Sequence, residues 1–265
     1  GKIKALFILG SDLISFYPDR KLAVDAMKNT EFKVVCETLL TETGKSADVV
    51  LPLAAFPEYN GSLISTEGRL QSFQKAYDSP FASAEGWRIL LRIMQKLGFE
   101  EDYPDPEMIW DEISENSEIF SNISHKGVSF RGLLIDMKLN NQLKTDVSEY
   151  KTDGPPKPLS EYPLILTYGT SVYQKRHLTH YAEDMPRIDP DPRIYMNPEN
   201  ANSIDIHDGD TVRVSSVNGS LTMKLSTDPR VRPGTIFIPT NFIEAEFNAL
   251  LDSKNDLTYV KVEKL

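Results

Sequence analysis

The sequence changes its hydrophobic pattern at a proline-rich stretch near its middle, and this change most constrains the fold. Before residue 100, short apolar runs alternate with helical spacing, whereas after residue 160 short alternating runs follow one another at tight turns. The stretch Lys151–Pro158 (KTDGPPKP) disfavours both helix and sheet, because proline lacks a backbone N–H. The chain therefore divides into an α/β lobe over 1–100, a helical and irregular connector over 101–160 and a β-domain over 161–265.

The first part is expected to form a parallel, Rossmann-like sheet with helices on its faces. Three short apolar runs predict its strands: Lys4–Leu9, Phe32–Cys36 and Asp48–Leu53. Helical spacing over Pro18–Lys28 lies between the first two runs, and strand–helix–strand order favours parallel pairing. A second amphipathic helix is predicted over Trp87–Leu97, closed by Gly98, and a shorter one over Pro106–Ile113.

The last part is expected to form a small barrel. Six short runs predict its strands: Leu164–Thr167, Arg193–Met196, Thr211–Ser215, Ser220–Leu225, Thr235–Pro239 and Val260–Glu263. Asn218-Gly219, between two alternating runs, is a hairpin signal, and His207–Asp210 predicts a turn. Asn197 followed by Pro198 predicts the start of a short helix. Six strands joined by tight turns favour a closed barrel over an open sheet.

Charge and composition exclude several classes of function. A net charge of −10 argues against binding nucleic acid or an anionic membrane surface. The longest apolar runs fall far short of the roughly 20 residues that a membrane span needs. The single cysteine, Cys36, and four scattered histidines give no disulfide framework, four-cysteine cluster or zinc signature. Without a visible secretory signal, the chain is expected in the cytoplasm, at most peripheral to a membrane complex.

Several motifs in the same order resemble the molybdopterin oxidoreductases. The segments IKALFILGSDL and FKVVCETLLTETGKSADVVLPLAAFPEYNGSLISTEGRLQSF are similar to one region of that family. The segments YPLILTYG, IYMNPENANSIDIHDGDTVRVSSVNGSL and VRPGTIFIP are similar to its dinucleotide-binding C-terminal barrel, which has a double-psi fold. Formate dehydrogenase alpha chains and the large iron–sulfur subunit of NADH-quinone oxidoreductase are the most similar members, and PEMIWDEI strengthens the likeness to formate dehydrogenase.

The resemblance implies a C-terminal fragment of an oxidoreductase large subunit that cradles the guanine dinucleotide ends of a molybdopterin cofactor. The family's iron–sulfur cysteines and metal ligand lie upstream of the matched segments, so no catalytic or metal-binding residue is expected in this chain. Its abrupt start, almost directly in a strand, is typical of a piece of a longer protein. The implied partners are the remaining N-terminal part of the same subunit and other subunits of an electron-transfer complex.

In the lobe, cofactor contacts are expected from Gly10, Ser11, Glu37 and Thr41. The Gly10-Ser11-Asp12 turn ends a strand, where backbone N–H groups can bind phosphate, or it is an ordinary helix N-cap. Glu37 can accept hydrogen bonds from the guanine N1–H and N2–H₂ groups. Thr41 binds phosphate or caps a helix, and capping is favoured for Thr43.

Two other lobe residues have competing interpretations. Cys36 is interpreted as a small buried hydrophobic residue rather than a ligand or nucleophile. Arg69 could clamp a phosphate, and a structural ion pair with Glu67 or Glu58 is an equal alternative.

In the barrel, the loop from Thr167 to Thr179 is the best candidate for a ligand loop. It combines small residues for close backbone approach with three groups that suit anions, and a solvated basic loop is the alternative. The barrel residues expected at the cofactor are Thr167, Gly169, Lys175, Arg176, His177, Thr179, Thr240 and Asn248. Asn248 corresponds to an asparagine that the family uses near the cofactor, or it is a polar residue on a helix surface.

Three departures from the family pattern favour a second function. Tyr59 replaces a lysine of many members, Gly86 replaces an aspartate, and Asp256 stands where a lysine is usual. An anion near a diphosphate repels it. The alternative is therefore a cofactor-free scaffold lobe of a respiratory complex that packs against partner subunits. A free-standing nucleotide-binding module is a third hypothesis.

Overall fold

A computed structural model describes residues 2–121, 123, 128, 131–135, 160–170, 179, 181–182, 184, 191–254 and 257–265. The chain forms two compact units. The first consists of Gly1–Val35, Leu39–Val49 and Thr152–Leu265, and the second of Cys36–Thr38 and Val50–Lys151. The division into three consecutive parts stays a prediction.

The N-terminal sheet is parallel, as predicted, and has three strands in the order β1-β2-β3. The strands are β1 (Ala5–Leu9), β2 (Phe32–Glu37) and β3 (Val49–Pro52). The helices between them are α1 (Leu13–Phe16), α2 (Arg20–Asn29) and α3 (Glu42–Lys45). The helix predicted from Pro18 begins at Arg20, because the Asp19 carboxylate accepts the Leu22 N–H and so caps the helix. Alternating apolar residues of the strands pack on the helices in a core of Ile8, Ile14, Met27 and Val35.

A buried lysine joins β2 to the segment before β3. Lys33 Nζ lies 2.9 Å from Asp48 Oδ2 and donates to the Thr30 carbonyl at 2.9 Å. The Lys33 backbone N–H donates to the same carboxylate oxygen at 2.7 Å. The side-chain hydrogen bond from Lys33 is the main cause that lowers the pKa of the Asp48 carboxyl. The pair therefore stabilises the fold only while Asp48 is ionised.

We expect this ion pair to make the first unit less stable as the pH falls into the acid range. Because the pKa of Asp48 is lowered in the folded state, its contribution is complete above the unfolded value of about 3.9 and is lost as pH falls through the folded value. Asp48→Asn should lower the urea midpoint at neutral pH and flatten its fall below pH about 4. Asp25→Asn, at an exposed position of α2, is the control. Parallel pH profiles for wild type and Asp48→Asn would contradict the prediction.

The described residues of the second unit form two α-helices, a 3-10 helix at Phe56–Glu58 and a small antiparallel sheet. Its α-helices are α4 (Gly86–Lys96) and α5 (Pro106–Asn116), and its sheet has the order β4 (Gly61–Ile64), β5 (Arg69–Phe73) and β6 (Leu133–Leu134). Helix α4 matches the predicted amphipathic segment and ends before Gly98, whose φ of 95° is left-handed. The β4–β5 hairpin was not expected from the sequence. Leu70 of this hairpin packs with Trp110 of α5 in the core of the unit.

The C-terminal domain is a closed six-stranded barrel, which confirms the predicted fold. Its strands are β7 (Leu164–Gly169), β8 (Arg193–Met196), β9 (Thr211–Ser215), β10 (Ser220–Thr227), β11 (Thr235–Pro239) and β12 (Tyr259–Lys264). Around the barrel they follow the order β10-β8-β11-β7-β12-β9, with parallel β10–β8 and β11–β7 pairs. Alternate residues fill the interior, as in Leu221, Met223 and Leu225 of β10.

The turn and helix signals of the second half are confirmed. Ser215 pairs with Ser220 across the Asn218-Gly219 hairpin, and the His207 N–H bonds to Asp210 Oδ2 in the predicted turn. Helix α6 (Pro198–Ser203) is capped by Asn197. Two 3-10 helices, Ile243–Ala245 and Phe247–Ala249, follow β11. Among the helices of the described residues, none has the length and apolar character that a bilayer span requires.

Candidate functional site

The turn after β1 leaves Gly10 and Ser11 exposed. Gly10 has a left-handed φ of 59°, which a residue with a side chain rarely adopts. The next residue, Asp12, is the N-cap of α1 and is only 3% exposed. The structure therefore supports the capping alternative for Asp12. The Ser11 hydroxyl bonds to none of the described residues and remains available to a ligand.

Asp12 also joins the two loops that follow β1 and β2. Its Oδ1 accepts the Thr43 hydroxyl at 2.5 Å and the Thr43 backbone N–H at 3.3 Å. Thr43 Oγ1 in turn accepts the Ile14 N–H at 3.0 Å. These bonds hold the start of α1 beside the start of α3. The candidate residues Gly10, Ser11 and Thr41 thus belong to two loops that are tied together.

The structure makes Thr41, and not Thr43, the cap of α3. Thr41 is the N-cap of α3, and its hydroxyl accepts the Gly44 N–H at 3.2 Å. The prediction that Thr43 is the cap is wrong: Thr43 lies inside α3, is fully buried and bonds to Asp12. Because the Thr41 hydroxyl oxygen already accepts this bond, what it can still offer a phosphate is its proton.

Two neighbouring residues at the end of β2 differ in accessibility. Cys36 is fully buried, and burial raises the pKa of its thiol, which confirms its interpretation as a small hydrophobic residue. Glu37 is half-buried, and its Oε1 accepts the Thr38 N–H at 2.9 Å. Its other carboxylate oxygen bonds to no described residue, so Glu37 keeps an acceptor for an N–H-bearing ring.

The structure brings three predicted barrel residues together at one rim. Strands β7 and β11 are parallel neighbours, and Gly169 pairs with Pro239 where both strands end. The Thr240 N–H donates to the Gly169 carbonyl at 2.8 Å. Thr167 spans the same two strands, because its hydroxyl donates to the Ile236 carbonyl at 2.7 Å. The Thr240 hydroxyl bonds to none of the described residues.

Part of the predicted ligand loop lies outside the described residues. Lys175, Arg176 and His177 belong to that part, as does the Asp256 departure. Thr179 is described, is half-buried, and its carbonyl accepts the Ala182 N–H at 3.1 Å. The assignment of the three basic residues to an anion therefore stays a prediction.

Asn248 is fully buried in the second 3-10 helix after β11, so the surface alternative is wrong. Its Nδ2 donates to the Ile14 carbonyl at 2.8 Å and to the Tyr17 carbonyl at 3.0 Å. Its Oδ1 is buried and has no hydrogen-bond partner among the described residues. As placed, the side chain serves α1, and direct contact with a cofactor stays a prediction.

The sequence did not reveal Arg20 as a member of this region. Its side chain is only 14% exposed, and its Nη2 lies 2.6 Å from Glu42 Oε1 and 3.1 Å from Glu246 Oε1. Its Nη1 donates to the Ile14 carbonyl at 3.2 Å. The hydrogen bond with Glu42 is the main cause that raises the pKa of Arg20. The only local signal was a basic residue in the first turn of a helix, where acidic residues are favoured.

In the second unit, the structure shows neither ion pair that was proposed for Arg69, so its role as a phosphate clamp stays a prediction. Arg69 Nη1 lies 3.5 Å from the Arg131 carbonyl, and no described contact pairs Arg69 with Glu67 or Glu58. Glu58 instead accepts the Ala55 N–H at 2.9 Å. Tyr59, which departs from the family pattern, packs against the rings of Phe56 and Phe73. Among the described residues, no group of three or more histidine, cysteine, aspartate or glutamate side chains could hold a metal ion.

Two protein-family profiles match the chain. The profile described as Molybdopterin oxidoreductase matches residues 1–96. The profile described as Molydopterin dinucleotide binding domain matches residues 164–261. The first matched range contains the parallel sheet, and the second contains the barrel except for the last three residues of β12.

Curated relatives are similar over nearly the whole chain. The F420-dependent formate dehydrogenase subunit alpha of Methanocaldococcus jannaschii is 32% identical, over 96% of this chain and 41% of the relative. An NADH-quinone oxidoreductase subunit of Rhizobium meliloti is 27% identical, over 95% of this chain and 29% of the relative. The chain spans about two fifths of the length of the formate dehydrogenase subunits that it matches.

A solved structure has the same fold. Acetylene hydratase from Pelobacter acetylenicus superposes with a TM-score of 0.75 over 99% of this chain and 44% of its own, at 20% sequence identity. This likeness concerns the fold alone.

Proposed function

The chain belongs to the molybdopterin oxidoreductase family, and on that premise we propose that it holds the nucleotide end of a molybdopterin guanine dinucleotide in an oxidoreductase large subunit. The whole subunit would act as a formate dehydrogenase or an NADH-quinone-type oxidoreductase, as its relatives are named. This part of the subunit would bind cofactor and carry no catalytic residue.

The β7–β11 rim is the observation that carries the proposal. Two parallel strands end side by side at Gly169 and Pro239, and the Thr240 hydroxyl, which no described residue engages, stands at that edge. The mouths of β-barrels are common ligand-binding sites, and in open α/β sheets ligands bind outside the carboxyl ends of the strands. The sequence that follows Gly169 contains Lys175 and Arg176, at positions outside the described residues, and their charges would neutralise a diphosphate.

The available polar groups suit a dinucleotide. Phosphate oxygens need donors, and the hydroxyls of Ser11 and Thr240 supply protons that no described residue uses. The guanine edge carries N–H donors, and Glu37 keeps one carboxylate oxygen as their acceptor. The Thr167 hydroxyl already donates a hydrogen bond to the Ile236 carbonyl, so its role would be to stabilise the rim.

The chemistry would come from the cofactor and from the rest of the subunit. When bound, the cofactor supplies a metal that exchanges electrons with the substrate. The residues of this chain would bind and orient its nucleotide end, and any iron–sulfur cluster would be held by the remainder of the subunit. We further propose that other subunits of an electron-transfer complex dock on that subunit, in the cytoplasm or at the periphery of a membrane complex.

Metal and pterin analysis of the purified full-length subunit tests the proposal. We expect stoichiometric molybdenum or tungsten together with pterin and guanine. Lys175→Ala combined with Arg176→Ala should reduce the retained cofactor, because the diphosphate loses two cations. Lys21→Ala combined with Lys28→Ala, on α2, is the matched control of equal charge loss. Full retention by the loop variant would refute the loop assignment.

A cofactor-free scaffold is the second candidate function, and Tyr59 favours it. Its ring fills a cluster with Phe56 and Phe73 at a position where many family members carry a lysine. The same measurement decides between the two candidates. A well-folded full-length subunit without metal or pterin would support the scaffold, whereas stoichiometric metal would exclude it.

A further inference from the structure

We propose that Arg20 and Asn248 form a clasp that fixes residues 240–249 against α1. The clasp thereby sets the distance between two parts of the proposed cofactor site, which are the β7–β11 rim at Thr240 and the turn at Gly10 and Ser11. The clasp is defined as the contacts of these two side chains with Ile14, Tyr17, Glu42 and Glu246. Arg20 and Asn248 are positioning residues, because they act through the segments that they join. The inference rests on the proposed cofactor-binding function.

Asn248 donates hydrogen bonds to backbone carbonyls at the C-terminal end of α1. A helix of four residues leaves its last carbonyls without intrahelical partners. The Asn248 amide donates one N–H to Ile14 and the other to Tyr17, at 2.8 Å and 3.0 Å. An apolar side chain of the same size would leave both carbonyls without this donor. The buried Oδ1 accepts no hydrogen bond from the described residues, which costs free energy, so the gain from an amide at this position comes from the two Nδ2 bonds.

Arg20 reaches the same helix and two other segments. Its guanidinium donates to the Ile14 carbonyl, to Glu42 on α3 and to Glu246 in the turn between the 3-10 helices. Ile14 therefore accepts from both members of the clasp. The planar fork of an arginine can hold three such directions, whereas a lysine is a single point charge.

The backbone at Glu246 indicates that this turn is held in place. Glu246 has a φ of 41° and a ψ of 33°, in the left-handed region that non-glycine residues rarely occupy. Such a conformation persists where surrounding contacts impose it. Its carboxylate makes the 3.1 Å contact with Arg20, so the ion pair and the unfavourable backbone occur at the same residue.

The two segments that the clasp joins lead directly to candidate cofactor residues. Residue Thr240 begins the barrel segment and is bonded to Gly169. Helix α1 begins at Leu13, and its N-cap residue Asp12 directly follows Gly10 and Ser11. A displacement of 240–249 relative to α1 would therefore change the distance between the rim at Thr240 and the Gly10–Ser11 turn. A rigid dinucleotide site tolerates little change in that distance.

Hydrogen exchange on the full-length subunit without cofactor tests the contacts themselves. In Asn248→Ala and in Arg20→Met, amide exchange should accelerate both in residues 13–17 and in residues 243–249. Arg230→Met, which removes an exposed arginine paired with Asp228, is the matched control and should leave both segments unchanged. Acceleration in neither segment would overturn the clasp. If Arg20→Met does not fold, Glu246→Gln provides the test, because it removes the charge and keeps the shape.

Cofactor release from the loaded subunit tests the positioning role. We expect Arg20→Met and Asn248→Ala to release pterin about tenfold faster, and Arg20→Lys to recover part of the loss. Glu246→Gly is the decisive variant: glycine relieves the left-handed backbone, so thermal stability should hold or rise while release still accelerates. Unchanged release with accelerated exchange would overturn the positioning role and leave the proposed function intact. Absence of pterin from the wild-type subunit would instead refute the proposed function, and with it the positioning role.

Discussion

Replacing Asp12 with alanine is expected to lower the free energy of unfolding of the first unit by about 2 to 4 kcal/mol. The carboxylate is buried and accepts hydrogen bonds from the Thr43 hydroxyl, the Thr43 N–H and the Ser15 N–H. Alanine removes the cap of α1 and leaves these donors in a place that water does not reach. Urea denaturation followed by far-UV circular dichroism measures the loss.

Three further variants separate the cap from the tertiary contact. Asp12→Asn keeps the acceptor oxygen and should lose least, whereas Asp12→Ser keeps a cap but is too short to reach Thr43. Thr43→Val closes a double-mutant cycle with Asp12→Ala, and the coupling should exceed about 1 kcal/mol because the two side chains bond directly. Additive losses in that cycle would show that the two loops are not joined through this bond.

The strands of the parallel sheet and of the barrel were predictable because their hydrophobic pattern is local. In β10 every second residue from Leu221 to Leu225 is buried, and the sequence alternates accordingly. The Asn218-Gly219 turn fixed where that strand begins. For α1 and α3 the sequence indicated capping residues, but the bounds of both helices were missed, because four residues are too few to show a helical period. The β4–β5 hairpin was missed as well, since Glu67-Gly68 resembles part of a ligand motif and this likeness hides its role as the turn.

The candidate site was predictable only where strands determine it. Gly169 and Thr240 meet because β7 and β11 are parallel neighbours, which the barrel fold dictates. Arg20 and Glu246 are 226 residues apart, and no local pattern relates them. The choice between Thr41 and Thr43 as cap was equally hidden, because it depends on which hydroxyl the distant Asp12 engages.

Contacts within the first unit link the β9–β10 hairpin of the barrel to α1 through the segment that carries Asn248. Ser216 Oγ donates to the Leu250 carbonyl at 2.8 Å, and Asn218 Nδ2 donates to the Leu251 carbonyl at 2.9 Å. These bonds fix the residues that follow Asn248 to the turn between β9 and β10. The position of Asn248 thus depends on the β9–β10 hairpin. Disturbing that hairpin should affect α1 as well.

Gly219→Ala is expected to destabilise the first unit by about 2 to 3 kcal/mol, by forcing the hairpin away from the 3-10 helix Phe247–Ala249. A Cβ on Gly219 would lie 2.6 Å from the Ala249 carbonyl oxygen, a backbone atom that cannot rotate aside. Gly209→Ala is the matched control, because a Cβ on Gly209 would meet open space while its φ of 87° is left-handed. Its expected loss of roughly 1 kcal/mol in the free energy of unfolding therefore reflects backbone conformation alone. Gly219 has no left-handed φ, so its loss measures packing. Thermal unfolding ranks the two variants, and hydrogen exchange in residues 13–17 should rise only for Gly219→Ala. A smaller loss for Gly219→Ala than for Gly209→Ala would mean that the hairpin does not hold the segment that carries Asn248.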